Sequence, residues 1–418
     1  MRFTDAMRST IGDKLMPDSR VLGTCFAIVI FSGDAALGAA QAQAKYSFEF
    51  YGFAEADVIT DTNRVDPAWD DAFRPSKIAT ESGQFGSGGQ TSVSVKQSKF
   101  GVQGTLPVEN FADPITFKFE FDFFGVGVDA GQTTIRLRHF YGEWGQVLAG
   151  QTNSLFMDGD VFPNTIDYWG PAGMVFYRNV QIRWTPYKTA DSHFAIAIER
   201  PGNDVDAGQV RQLDPELGAN IRNDEKLPDF TAQFNTKGTW GHVQLAGIVR
   251  RVGFDSVGTI AGEPKGAEMG WGLNLSGHLN FFERDKLLGQ VVYGHGIASY
   301  MNDGGTDLAP GGTSRVDIHP EAVPLLGVLL YYDHYWNDNW SSSIGYSFTQ
   351  VDNTSLQDAF AFHQGDYASV NLLYTPIKSL MVGGELLWGQ RTNNDGQSGN
   401  DIRFQFSVKY SFGAQISL

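Results

Sequence analysis

The stretch Ile115–Phe124, "ITFKFEFDFF", decides the fold. Ile115, Phe117, Phe119, Phe121 and Phe123 fall on one face of an extended strand, because side chains in a strand alternate sides. Thr116, Lys118, Glu120 and Asp122 fall on the other. In a soluble β-protein the phenylalanines would enter a core and the charges would meet water. In a membrane barrel the same letters are read inside out, with phenylalanine against lipid and charge lining a wet lumen. The rest of the chain separates the two readings.

The alternation recurs in "YSFEFYGFAEADV" (46–58), "SHFAIAIE" (192–199), "HVQLAGIV" (242–249), "GWGLNLSGHLNF" (270–281), "WSSSIGYSFTQV" (340–351) and "IRFQFSVKYSF" (402–412). With weaker runs counted, about sixteen such segments emerge, an even number of the kind closed bacterial barrels use. Short turns such as "NTKGTWG" (235–241), "FFERDK" (281–286) and "TPIKS" (375–379) take turns with long polar connections at 60–91, 201–227, 302–321, 352–365 and 392–400. Outer-membrane barrels show this asymmetry, whereas a sandwich or propeller has no reason to. Nine aromatics (Tyr46, Trp144, Trp184, Trp240, Trp271, Trp336, Trp340, Trp388 and Phe412) sit near strand ends, where interfacial girdles form. The second face of the strands reads as Gly, Ser, Thr, Asn, Gln or charged, which has no place in a two-layer core. Closing about sixteen tilted strands instead makes a lumen too wide for side chains to fill. The expectation is an all-β, transmembrane antiparallel β-barrel of about 16 strands, with the phenylalanines of "ITFKFEFDFF" toward lipid.

Composition agrees. Of 418 residues 42% are hydrophobic, yet the mature chain has no run approaching the roughly 18 to 20 apolar residues of a membrane-spanning helix. Arg2, Arg8, Lys14 and Arg20 precede the apolar "VLGTCFAIVIF" (21–31) and then "AAQAQA" (39–44), so residues 1–44 read as a signal peptide and 45–418 as the barrel domain. The single cysteine, Cys25, would leave with that segment, so no disulfide is expected. The net charge of −16 argues against nucleic acid as a partner, since its binding needs a basic footprint.

One segment breaks the strand pattern: Thr152 to Gly173, within "TNSLFMDGDVFPNTIDYWGPAGM". Its apolar residues (Leu155, Phe156, Met157, Val161, Phe162, Ile166, Tyr168, Trp169) favour a loop packed inside the barrel over a solvated tip. The preceding "TTIRLRHFYGEW" turns Ile135 and Leu137 toward lipid and stacks Arg136 and Arg138 on the lumen side. Lys118, Arg178 and Arg183 extend a basic wall, which we expect to face the loop carboxylates Asp158, Asp160 and Asp167. Such rings of arginine or lysine favour anions at a constriction, and the planar guanidinium fork matches carboxylates. Lys99, Arg250, Arg391, Arg403 and Lys409 are weaker candidates for lumen cations. Much of the acid is assigned to external loops: Asp66, Asp70, Asp71, Asp204, Asp206, Asp214, Glu216, Asp224 and Glu225. These loops suggest bridging to lipopolysaccharide through divalent cations. H-E-x-x-H, G-x-S-x-G, Walker and Cys/His ligand patterns are absent from the sequence, "DGD" (158–160) reads as an acidic turn, and no enzyme activity, cofactor or metal is expected.

The words "FRPSKI" (73–78), "IRLRHFYGEWGQVLAGQTNSLFMD" (135–158), "TIDYWGPAG" (165–173), "YRNVQIRWT" (177–185), "YASVNLLYTP" (367–376) and "GGELLWGQR" (383–391) resemble the DcaP-like porin family across nearly the whole mature chain. The resemblance implies a homotrimer of sixteen-stranded outer-membrane barrels that pass small anions, dicarboxylates in particular. By position, the family's basic constriction corresponds to Arg136, Arg138, Arg178 and Arg183, and its inward loop to Thr152–Gly173. Two departures are visible. The periplasmic coiled-coil extension of some members has no counterpart before Tyr46, and "GAQISL" follows Phe412 where such chains usually end on an aromatic. The functional expectation is a passive outer-membrane channel for small organic anions. Its rivals are a general or cation-preferring porin, a barrel-based hydrolase, and a plugged structural barrel.

Overall fold

The computed structural model describes residues 46–313 and 317–418. The expected signal peptide, with Cys25, lies outside the described residues.

Sixteen staves form one antiparallel sheet. They are β1 (Ser47–Asp61), β2 in two pieces (Gln90–Ser94 and Lys99–Leu106), β3 (Ile115–Phe124), β4 (Thr133–Trp144), β5 (Val147–Asn153), β6 (Arg178–Lys188), β7 (Ser192–Glu199) and β8, also in two pieces (Ile221–Asn223 and Asp229–Gly238). The second half comprises β9 (Gly241–Ser256), β10 (Gly266–Phe281), β11 (Asp285–His295), β12 (Pro324–Tyr335), β13 (Trp340–Val351), β14 (Phe362–Ile377), β15 (Leu380–Asn393) and β16 (Ser398–Ser417). Each pairs with its sequence neighbour, and β1 pairs with β16 from Ser47↔Ser417 to Asp61↔Arg403, which closes the barrel. Closure joins the first and last staves, so neither presents a free edge to hydrocarbon, where each unsatisfied backbone group would cost several kcal/mol. The residues after Phe412 continue β16 as far as Ser417, so Phe412 lies inside the strand.

The wall is turned inside out. On β10, Leu273 and Leu275 are each 56% exposed, while Asn274 and Ser276 between and beside them are 0% and 4% exposed. On β3, Glu120 and Asp122 are buried, and the outward phenylalanines form an aromatic belt in which Phe119 meets Phe121 and Phe140 at 5.9 and 5.7 Å. All nine aromatics expected at strand ends are exposed. Tight turns, among them Gly145–Gln146 with Gly145 at φ 58°, occupy one end, and the long connections lie at the other, where the expected long connection at 392–400 is instead a short turn between Asn393 and Ser398.

The inner face is less polar than the sequence suggests. Ile248 on β9, Leu288 and Val292 on β11, Leu325, Leu329 and Tyr331 on β12, Tyr367 on β14 and Leu387 on β15 all point inward and are buried. They form two clusters with residues that enter the lumen from loops: Phe156, Met157 and Val175 in one, and Phe73, Ile78, Val161, Ala172 and Met174 in the other. A barrel of this width cannot fill itself from the wall, so the loops between β1 and β2 and between β5 and β6 supply the packing.

Candidate pore constriction

After Asn153 the chain leaves the wall. As a result β4 pairs with β5 only from Phe140 to Trp144, and Thr133–His139 has no β5 ladder. Inside the barrel the loop's backbone is met by polar wall residues. Asn274 Nδ2 donates to Phe156 O at 2.8 Å, Gln244 Nε2 to Met157 O at 3.1 Å and Asn371 Nδ2 to Asn164 O at 2.7 Å. Glu385 Oε2 accepts the N–H groups of Ile166 and Asp167 at 2.6 and 2.7 Å. These partners replace the water that a non-helical segment at this depth would otherwise need. The return leg lies flush with the wall: a Cβ on Gly173 would come within 2.1 Å of Phe348 O and 2.6 Å of Val328 O.

The basic wall stands on β2, β3, β4 and β6. Asp122 accepts Arg136 Nη2 at 2.6 Å and Arg138 Nη1 at 2.9 Å, and Glu120 accepts Arg138 Nε at 2.6 Å, with Lys99 and Lys118 at 3.7 and 3.6 Å. Four cations thus surround two carboxylates. Register shifts between β3 and β4 after Glu120 and after Asp122 bring Arg138 and His139 both to the inner side, a local re-aiming typical of bulges.

The loop meets this wall differently from the sequence expectation. Its contact is Tyr168, whose hydroxyl lies against Arg136, Arg138 and, at 3.3 Å, Arg178, and donates to Asp122 at 2.9 Å. The three aspartates do not face the arginines. Asp167 is 1% exposed and accepts the N–H groups of Phe73 and Gly170 at 3.0 and 2.9 Å and the Tyr367 hydroxyl at 3.2 Å. Burial, only partly offset by Arg403, pushes its carboxyl up to about 6. Asp158 is bound to His242 and Ser276 at the opposite wall, and Asp160 beside it is exposed. Asp158 and Asp167 anchor the loop, because its backbone must be seated against the wall from within.

Arg178 and Arg183 also differ from each other. Arg178 has no carboxylate within ion-pair distance among the described residues and lines the main cavity, whereas Arg183 is spent on Gln181 and Asn153 O at 3.0 and 2.7 Å. Of the weaker candidates, Arg250 and Arg403 are buried against Asp229 and Asp307 and against Asp61, Lys409 binds Glu55 and Lys99 joins the wall. Arg391 reaches the cavity, held by Asn393, Ser76 O and Phe360 O at 2.9, 2.8 and 3.0 Å.

The cavity, about 700 Å³, is lined by Arg136, Arg178 and Arg391 together with residues not expected there, chief among them Arg74 and Lys77. Arg74 enters from the first long loop, its guanidinium 4.2 Å from the Trp69 ring and 4.8 Å from Trp169, and is bound to Asp303 at 2.9 Å. Lys77 follows; burial and the neighbouring Arg74 hold it below the usual lysine value. The charged lining is Arg74, Lys77, Arg136, Arg178 and Arg391 against Asp204 and Asp303. Two acids assigned to external loops are in fact internal: Asp204 lines this cavity, and Asp71 is buried against Lys96 at 2.7 Å. The only signal for Arg74 and Lys77 was "FRPSKI", a tryptophan- and phenylalanine-flanked patch in an otherwise polar loop.

A family profile described as DcaP outer membrane protein matches residues 37–412. The chain belongs to this family. It is an outer-membrane β-barrel channel of the porin type. The outer membrane channel DcaP of Acinetobacter baumannii is 22% identical, with a TM-score of 0.73 over 90% of this chain and 100% of that one. OmpF of Salmonella typhi, solved with daunomycin, is 10% identical with a TM-score of 0.52, covering 87% of this chain and 97% of that one. OmpT of Vibrio cholerae in its trimer form is 12% identical with a TM-score of 0.51, covering 88% of this chain and 100% of that one. At these identities the likeness is one of fold. No curated protein sequence matches.

Proposed function

We propose that this DcaP-family channel passes small organic anions, dicarboxylates in particular, by passive diffusion. The observation that carries the reading is the charge of the cavity beside the inner loop: five cationic side chains against two carboxylates, with neither Arg178 nor Arg391 in an ion pair among the described residues. A solute carboxylate entering there meets guanidinium groups whose fork geometry it can satisfy at two oxygens. Arg136, Arg138 and Lys118 shape the field but are shared with Glu120 and Asp122, and Arg74 is shared with Asp303, so Arg178 and Arg391 are the primary contacts. Weak, multi-site binding of this kind speeds passage, and no covalent step or energy input is involved.

Residues 1–44 act as the signal peptide, and the barrel assembles as a homotrimer. The segment Thr133–His139, laddered on one side only and with Ile135 69% exposed, supports assembly because a partner barrel would cover it. Acidic loop tips bridging to lipopolysaccharide through divalent cations remain part of the same reading.

Swelling of liposomes carrying the protein tests it. A small dicarboxylate is expected to enter faster than a neutral solute of equal size, and the difference to shrink in Arg178→Gln/Arg391→Gln. Equal rates for both solutes would refute the anion preference.

A further inference from the structure

At the tight-turn end of the barrel, away from the arginine-lined cavity, the tip of the inner loop meets β9 and β10. Asp158 Oδ2 lies 2.8 Å from His242 Nε2 and accepts the Ser276 hydroxyl at 2.7 Å, while Asp158 Oδ1 accepts the Asp160 N–H at 3.0 Å. One ligand-capable atom from each of Asp158, Asp160 and His242 lies within 4.8 Å of the others. His242 Nδ1 is 2.7 Å from His278 Nδ1. Asp158 and His242 are both 3% exposed, and Asp160 is exposed.

We propose that Asp158, Asp160 and His242 bind a divalent transition cation of the zinc class, with His278 and Ser276 as positioning residues. An imidazole nitrogen with two carboxylates is a donor set for zinc and its neighbours, whereas calcium and magnesium take oxygen. The proton arrangement supports this. Two Nδ1 atoms at hydrogen-bond distance share one proton, and when His242 donates it to His278 the His242 Nε2 is the nitrogen left to face the carboxylates. A ligating histidine ordinarily donates its other N–H to such a partner, and Ser276 fixes the carboxylate in the same way. On binding, the ion takes the place of any proton on Nε2, which passes to solvent, and the two carboxylates offset the ion's charge. Three protein ligands leave further coordination positions to water. The ion would join loop to wall across residues about eighty apart in sequence, which no local motif could have shown.

The inference does not depend on anion preference, because ion binding is measured without transport. The full, tag-free protein in detergent, stripped with chelator, is titrated with Zn²⁺ by calorimetry, and with Co²⁺ to read the visible absorption of the bound ion. One ion per chain is expected. Asp160→Asn, an exposed position, should weaken binding at least tenfold with the barrel still folded by heat-modifiable gel migration, and should alter the Co²⁺ spectrum. His242→Gln should abolish binding, and His278→Phe should lower affinity roughly 10- to 100-fold. Absence of stoichiometric Zn²⁺ binding by folded wild-type protein, or binding unchanged in Asp160→Asn and His242→Gln, would overturn the proposal and leave the cluster as an Asp158–His242 anchor.

Discussion

The Tyr168 hydroxyl of the inner loop donates a 2.9 Å hydrogen bond to Asp122 of the wall, at the point where Arg136 and Arg138 converge on the same carboxylate. The loop is thus joined to the basic wall by a neutral phenol and not by opposing charge. Tyr168→Phe keeps the ring stacked on Phe124 at 4.3 Å and removes only the hydroxyl. Because two arginines continue to satisfy Asp122, the expected loss is about 1 kcal/mol. Denaturant unfolding checks the loss, and noisier single-channel current is expected as the loop loosens at Tyr168.

Paired and unpaired arginines should behave oppositely. Arg136→Gln/Arg138→Gln strips Asp122, 0% exposed, of both cationic partners, leaving it only the Tyr168 hydroxyl and the Phe124 N–H, and should cost about 3 to 5 kcal/mol, the penalty for unpairing a buried charge. Arg178→Gln removes no ion pair found among the described residues and should cost less than about 1 kcal/mol. Folded yield and unfolding midpoints of the two proteins compare them.

Asp167 supplies a pH test. Its folded-state carboxyl is raised by burial to about 6, above the ordinary aspartate value near 4, so its contribution to stability is full below about 4 and is lost as pH rises through about 6. Asp167→Asn should remove that dependence. Unfolding midpoints across this window should fall for the wild type relative to the variant, and parallel curves would contradict the assignment.

The close approach at Gly173 gives a steric test. Gly173→Val must push the return leg away from Phe348 O and Val328 O, so the loop shifts into or out of the lumen while the barrel itself persists. A changed unitary conductance with unaltered heat-modifiable migration is expected.

The barrel was legible because its rule is local. Period-two alternation in Ile115–Phe124, and short turns alternating with long connections, reveal strands and membrane orientation without long-range information. The constriction was legible only in part. Arg136 and Arg138 follow from alternation, yet their partners Glu120 and Asp122 lie across a register shift that no periodicity reports. "PLLGVLLYY" (324–332) is apolar on both faces, and only the inner loop explains why Leu329 and Tyr331 are buried while Leu330 faces lipid. Arg74 sits in a segment without strand alternation, and the Trp69 and Trp169 rings that hold it are a hundred residues apart in sequence. Asp167 read as a pore charge because its type is visible in sequence and its backbone partners are not.

The central claim is that the cavity's excess of cationic groups governs what passes. Reversal potential across a potassium chloride gradient, measured on single channels of the wild type and of Arg178→Gln/Arg391→Gln, tests it most directly. The wild type should show an anion-selective sign, and the variant a shift toward cations. A cation-selective wild type, or a variant with an unchanged reversal potential, would contradict it.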